Sequence, residues 1–210
     1  MDSRAWLKHL VISVIASGVI ERKTLEQYLR QLRQYSRDYY NGKTDDGQFL
    51  DSMIGSISNQ INRAWNEGMR TNGLDPQTDK DDEMRDRIAE LVRNEQDHIT
   101  NLADLINQQR EAGADMTAIN ARVDVWANRY TDVVNIAKVE TGEDNQRFIW
   151  IYGDTEHCET CADLNGKILT AKEWRESGYH PQQPPNDLLD CGGWRCKCRL
   201  EKTKKPRTGL

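Results

Sequence analysis

At 210 residues the chain has room for one medium domain, or for a domain with an appendage. Charged residues make up 30% and hydrophobic residues 37%, with a mean hydropathy of −0.85, a balance that suits amphipathic helices and is lean for one deep core. The net charge of −5 offers no overall argument for nucleic-acid binding, and the apolar run Leu10 to Ile20 is shorter than the roughly 20 residues a membrane helix needs.

Lys8 and that apolar run mimic the first two regions of a signal peptide. Asp2 sits in the would-be basic leader, however, and no small-x-small cleavage site follows. The expectation is therefore a reducing compartment, with no membrane involvement.

Four amphipathic helical segments are expected before residue 145. The first runs from about Ser3 to Tyr40, on a stripe of Leu7, Leu10, Val11, Val14, Ile15 and Val19 that continues with Leu25, Tyr28, Leu29, Leu32 and Tyr35. Gly18 or Thr24 divides it, Thr24 and Gln27 resembling a capping box, and Asn41-Gly42 stops it. The second runs from Asp45 to Thr71, with Leu50, Met53, Ile54, Ile57, Ile61, Ala64, Trp65 and Met69 at helical spacing. The third runs from Asp79 to Glu111, opened by Asp81, Asp82 and Glu83 at the positive end of the helix dipole and stopped by Gly113. The fourth starts at Asp115 as N-cap and runs to Thr141, with Ile119, Val123, Trp126, Tyr130, Val133, Val134 and Ala137 on one face.

At Arg147 the texture changes. Phe148 to Tyr152 is aromatic and β-branched, a strand signal. Asn165-Gly166 reads as a tight turn before a return strand, Lys167 to Thr170. Ala171 to Ser177 reads as a short helix around Trp174, His180 to Asp190 as a Pro-rich loop, and Arg199-Leu200 as a last short strand. The chain is thus mainly α: an elongated antiparallel helical region over 1–145, a small Cys-rich α+β zinc-ribbon-like module over 146–201, and a basic tail over 202–210.

All five cysteines fall in the second part: Cys158, Cys161, Cys191, Cys196 and Cys198. The first 157 residues contain none. A CxxC knuckle followed by a second tight cluster brings four thiolates around one tetrahedral ion, a structural zinc above all. The ion staples a segment too small to hold itself together by burial alone. Five candidates for four places leave one cysteine surplus, and His157 and His180 are possible substitutes. Disulfides and unligated thiols are the competing readings; an odd cysteine count fits a complete disulfide set poorly. Gly192-Gly193 permits the backbone turn a metal knuckle needs, and Trp150 and Trp194 flank the knot.

Catalytic signals are weak. No HExxH, GxSxG, Walker A or GxGxxG is present, and Glu156-His157-Cys158 has the wrong order for a deaminase. No catalytic residue and no small-molecule substrate are expected. The seven cations between Arg195 and Leu210 face one acid, Glu201. Among them Lys202, Lys204, Lys205 and Arg207 suit DNA phosphate or an acidic protein wall, or else form a solvated, frayed terminus.

The stretch from Trp150 through Cys158-Glu-Thr-Cys161 to Asn165-Gly-Lys167 resembles the C-terminal module of the phage-Mu-F-like head morphogenesis proteins. The likeness extends to the ending Cys191-Gly-Gly-Trp-Arg-Cys196-Lys-Cys198-Arg, and upstream to the helix ending Asn135 to Gly142. It covers about residues 120 to 200; the first 110 match only as helical. Cys191-Gly-Gly adds a cysteine to the simplest Cys-Arg-Cys ending of that family. The resemblance implies a minor capsid protein of a tailed phage or prophage, made in the host cytoplasm and located inside the head near the portal. It implies portal, scaffold or major capsid protein as partners, with packaged DNA as a further one. Two other readings stay open: a zinc-ribbon nucleic-acid adaptor, and a toxin- or transferase-type enzyme carrying the same module.

Overall fold

A computed structural model of the chain describes residues 25–153, 156–182, 185–193 and 196–210. The stripe expected at Leu7 to Val19, its division at Gly18 or Thr24, and Trp194 lie outside the described residues. The described chain is mainly helical, with a small three-stranded antiparallel sheet and a Cys-rich end. It divides into two compact units that interleave along the sequence. One comprises the described residues up to Arg63 with Asp81–Ala127; the other comprises Ala64–Lys80 with Asn128–Leu210.

In the first unit, α1 (Leu25–Tyr40) buries Tyr28, Leu32, Ser36 and Tyr39. It ends at Asn41-Gly42, where Gly42 takes the left-handed φ of 68° that a side chain would resist. Helix α2 (Asp46–Thr71) opens with a reciprocal cap: Asp45 Oδ1 accepts from Gln48 N at 2.8 Å, and Gln48 Oε1 accepts from Asp45 N at 3.1 Å. Its residues up to 63 belong to this unit. Phe49, outside the expected stripe, is buried and stacks on Tyr39 with centroids 4.7 Å apart.

The third expected helix is two. Helix α3 (Asp82–Asn94), capped by Asp81, and α4 (Gln96–Glu111) are separated at Glu95. There the backbone N–H bonds to Val92 O, three residues back, tightening the turn. The Glu95 carboxylate is buried and accepts from Trp126 Nε1 at 2.8 Å. The fourth expected helix also divides, into α5 (Thr117–Asp124) and α6 (Trp126–Glu140), at a similar i−3 bond from Val125 N to Arg122 O. Neither break carries Gly or Pro, so hydrophobic spacing alone runs straight through both. Asp115 does accept from the Thr117 N–H at 2.8 Å, but the residue at the N-cap position is Met116.

The second unit is built on residues 64–71 of α2 and 128–140 of α6. The two segments approach closely at Gly68: a Cβ there would lie 2.4 Å from Ala137 Cβ and 2.9 Å from Val134 O. From Asp132 to Ala137, and again at Val139, α6 is buried all round, as a central helix must be. Strand β1 (Arg147–Ile151) is the middle of the sheet. It pairs antiparallel with β2 (Ile168–Thr170) on one side and β3 (Arg199–Lys202) on the other. Phe148 and Trp150 alternate inward, both fully buried. A six-residue helix, α7 (Glu159–Leu164), lies between β1 and β2, and α8 (Ala171–Ser177) follows β2 through a capping box of Thr170 and Glu173. Trp174 of α8 donates from Nε1 to Phe148 O at 3.0 Å.

Helix α6 also guards the outer edge of β3. Asn135 Oδ1 accepts from Leu200 N at 3.1 Å, and Lys138 Nζ donates to Leu200 O at 2.7 Å. Burial holds the Lys138 ammonium below its ordinary pKa, although Glu67 and Glu201 favour its charge. The basic tail is docked rather than frayed. Lys202 is part of β3, Thr208 N and Oγ1 bond to Ile168 O and N at 3.0 and 2.8 Å, and Arg207 forms an ion pair with Glu173. No described helix is long and apolar enough to cross a membrane.

Two glycines of α2 test this packing with opposite signs. Gly68→Ala forces Ala137 and the α6 backbone apart and is expected to cost about 1–3 kcal/mol. Gly55→Ala, with nothing within 4 Å of its new Cβ, is expected to stabilise by about 0.5–1 kcal/mol through the reduced freedom of the unfolded chain. Urea midpoints of the two variants read both effects. A Gly68 variant as stable as the parent would contradict the close approach.

Candidate metal centre

Cys158 and Cys161 are placed by α7. Cys158 is its N-cap, and its Sγ accepts from the Cys161 backbone N–H at 3.4 Å. One turn of helix thus aims both sulfurs the same way. Cys196 and Cys198 come from the approach to β3, where Cys196 Sγ accepts from the Cys198 N–H at 3.4 Å. Both knuckles use the same device: an N–H two or three residues on stabilises negative sulfur. Cys191 sits on the turn Cys191-Gly192-Gly193. Both glycines have left-handed φ, 59° and 81°, as the sequence suggested, and the Gly193 backbone N–H supports the Cys191 sulfur.

The structure brings all five cysteines together, and none is in a disulfide. Among the described residues they form two triads that share Cys161. Cys158, Cys161 and Cys191 make one; Cys161, Cys196 and Cys198 make the other. Within each triad the ligand atoms all lie within 4.8 Å of one another. Cys161 Sγ and Cys196 Sγ are 3.8 Å apart. A tetrahedron of metal–sulfur bonds of about 2.3 Å has an edge of about 3.8 Å. The second triad is fully buried; Cys158 and Cys191 are half-buried.

The electrostatics call for a cation. In the buried triad the neighbouring Cys161 and Cys196 thiols hold Cys198 well below the ordinary thiol range, against the opposing effect of burial. The proximity of Cys196 and Cys198, with burial, pushes Cys161 far up. Within this triad the hydrogen bonds among the sulfurs favour charge on Cys198 and, with burial, oppose it on Cys161. Burial also opposes charge on Cys158, but the backbone N–H groups of Cys161 and Cys191 prevail and lower it. The buried indole of Trp150 is one of the groups favouring the Cys198 thiolate. A bound metal ion would remove the penalty on the remaining sulfurs. The cluster is fit to hold one.

His157 stacks on Tyr152, centroids 3.7 Å apart and planes 10° apart, with Nδ1 3.9 Å from Cys198 Sγ. His180 lies outside both triads. Several supporting residues escaped the sequence reading. Asp190 Oδ2 accepts from Thr160 N at 2.9 Å and from Thr160 Oγ1 at 2.7 Å, tying the Cys191 turn to α7. Gln182, with a positive φ of 63°, donates from Nε2 to Cys198 O at 2.7 Å. Gly153 lets the end of β1 touch the second knuckle, where a Cβ would lie 2.1 Å from Lys197 O. Its N–H also favours the Cys198 thiolate. Acidic or glycine residues beside cysteines were the only signal available for these roles.

Of the four tail cations, Lys202 and Arg207 are engaged in the fold as described above. Lys204 and Lys205 are exposed.

Removing metal with a chelator under reducing conditions should collapse the near-ultraviolet and tryptophan signals of the Cys-rich core, while most helical signal persists. Zinc-finger peptides bind their ion with about 10–16 kcal/mol of apparent free energy, so the loss should be a cooperative unfolding rather than a small shift. Gly153→Ala should weaken metal retention by prising β1 from the 196–198 turn. Unchanged tryptophan spectra after chelation would remove the metal from the folding of this unit.

Against known proteins, no family model matches the chain, and neither a curated protein nor a solved structure does.

Proposed function

We propose that the chain is a structural, non-enzymatic minor protein of a tailed-phage or prophage head, of the Mu-F-like kind, whose Cys-rich unit is held together by zinc. The observation that carries the reading is the pattern running from Trp150 through CxxC to Asn165-Gly-Lys167 and on to Cys191, Cys196 and Cys198. The residues of that pattern have coherent physical roles together. Trp150 is core, the cysteines converge, Asn165 Oδ1 accepts from Tyr152 N at 3.1 Å, and Gly166 turns the chain at φ 81°.

Zinc is the ion because clustered thiolates are soft ligands and a tetrahedral sulfur set selects zinc or iron–sulfur. The structural role is favoured because three of the sulfurs face a core of tryptophans and leucines rather than a cleft. A cavity of about 300 Å³ elsewhere in this unit is lined by Leu169, Glu173, Ser177 and Arg207 and contains no cysteine. The helices would dock on a portal, scaffold or major capsid protein from inside the head. The tail's contribution to any DNA contact would rest on the exposed Lys204 and Lys205.

Mass spectrometry of gradient-purified particles from cells encoding the chain tests the virion assignment. A few to a few tens of copies per particle are expected. Its confinement to the soluble fraction would overturn the assignment and favour the adaptor or enzyme. The tail is tested by DNA affinity against salt. Replacing Lys204 and Lys205 with Ala should shallow the slope of log affinity on log salt by about one to two, whereas Arg207→Ala should act mainly on stability.

A further inference from the structure

The five cysteines do not gather as one four-cornered set with a spare. They form two triads about a shared sulfur, and we propose that the unit holds a pair of zinc ions bridged by the Cys161 thiolate, with all five cysteines as ligands. This rests on the metal-stapled reading above and deepens it.

Three observations converge. The first is the geometry: every sulfur of Cys158, Cys161 and Cys191 lies within 4.8 Å of the others, and so does every sulfur of Cys161, Cys196 and Cys198. Each triad is one face of a tetrahedron, and only Cys161 belongs to both. The second is the distribution of backbone donors. Cys158 receives the N–H groups of Cys161 and Cys191, Cys191 that of Gly193, Cys196 that of Cys198, and Cys198 that of Gly153. Terminal thiolates have lone pairs to spare for such donors. Cys161 Sγ instead meets another sulfur directly, Cys196 Sγ at 3.8 Å, and a bridging thiolate gives its lone pairs to two ions.

The third is the ring beside the buried triad. His157 Nδ1 is 3.9 Å from Cys198 Sγ, and Tyr152 holds the imidazole by stacking. For zinc bonds of about 2.3 Å to sulfur and about 2.0 Å to nitrogen, the tetrahedral edge is about 3.5 Å. His157 would take the fourth corner of the inner ion by turning from its stack on Tyr152 towards Cys161 and Cys196, since it stands near Cys198 but outside the 4.8 Å triad. The outer ion has Cys158, Cys161 and Cys191, with a water at its fourth corner, because Cys158 and Cys191 are the half-buried members. The Thr160–Asp190 bonds hold the Cys191 turn to α7 and fix the outer triad. Five thiolate charges against two divalent ions nearly balance, which suits a site in an apolar core.

The test is metal counting on the full chain. The protein is saturated with zinc under reducing conditions, desalted, and measured by native mass spectrometry and elemental analysis. Two ions are expected in the parent, one in Cys191→Ser and none in Cys161→Ser, with helical signal retained in both variants. Cobalt substitution supplies the signature of the bridge: filling the second position should attenuate the paramagnetic resonance signal through coupling across the shared sulfur. One ion in the parent overturns the pair and leaves the staple standing. None overturns both. Two ions that persist in Cys191→Ser, or two cobalt ions with additive signals, overturn the shared thiolate and place the second ion elsewhere.

Discussion

Sulfur charge inside an apolar core is the constraint on which the second unit depends. Its core cluster has twelve buried members, and three of them are Cys161, Cys196 and Cys198. The remaining apolar mass, led by Trp150, Trp174 and Phe148, packs directly against them. A thiolate buried without a partner costs more than such a small core can supply. Neutral thiols would pack as small hydrophobes, but their N–H donors are arranged for charge. A bound ion would make core and site one object: the tryptophans order the knuckles, and the ion would make the knuckles compatible with the tryptophans.

Helical support reaches this core through α6. Its last turns are enclosed on every side and carry Asn135 and Lys138 to the backbone of β3. Gly68 brings the end of α2 against the same helix. The unit thus recruits residues 64–80 from a distant part of the chain, and Asn72 fastens them by donating to Lys138 O and Thr141 Oγ1 at 2.8 and 2.9 Å. Gln146 Nε2 then donates to Asn72 Oδ1, continuing the chain of bonds towards β1.

Much of this was legible because the period of the apolar residues is a local property. Met53, Ile57, Ile61 and Trp65 mark α2 by spacing alone, and Phe148 and Trp150 alternate as an inward strand face should. The convergence of the cysteines followed from their spacing and chemistry. What stayed hidden was long-range. The breaks at Glu95 and Val125 involve tightened turns with ordinary residues, and at Glu95 the decisive partner is an indole thirty-one positions away. The all-round burial of α6 cannot be read from a stripe, because polar Asp132 and Asn135 interrupt it. The docking of the tail depends on Thr208 meeting Ile168 and Arg207 meeting Glu173, pairings that composition cannot reveal.

The position of β1 in the middle of the sheet sets an order in time. During synthesis β1 emerges before β2, and β3 follows about fifty residues after it. Until residues 199–202 arrive, the central strand has an open edge, and α7 presents Cys158 and Cys161 without the 196–198 turn. An unpaired edge of Phe148, Ile149 and Trp150 is a template for another chain's strand. The nascent protein therefore passes through an interval in which its most apolar strand is exposed, and a metal ion captured early by the CxxC pair would give the late-arriving cysteines a fixed point to close upon.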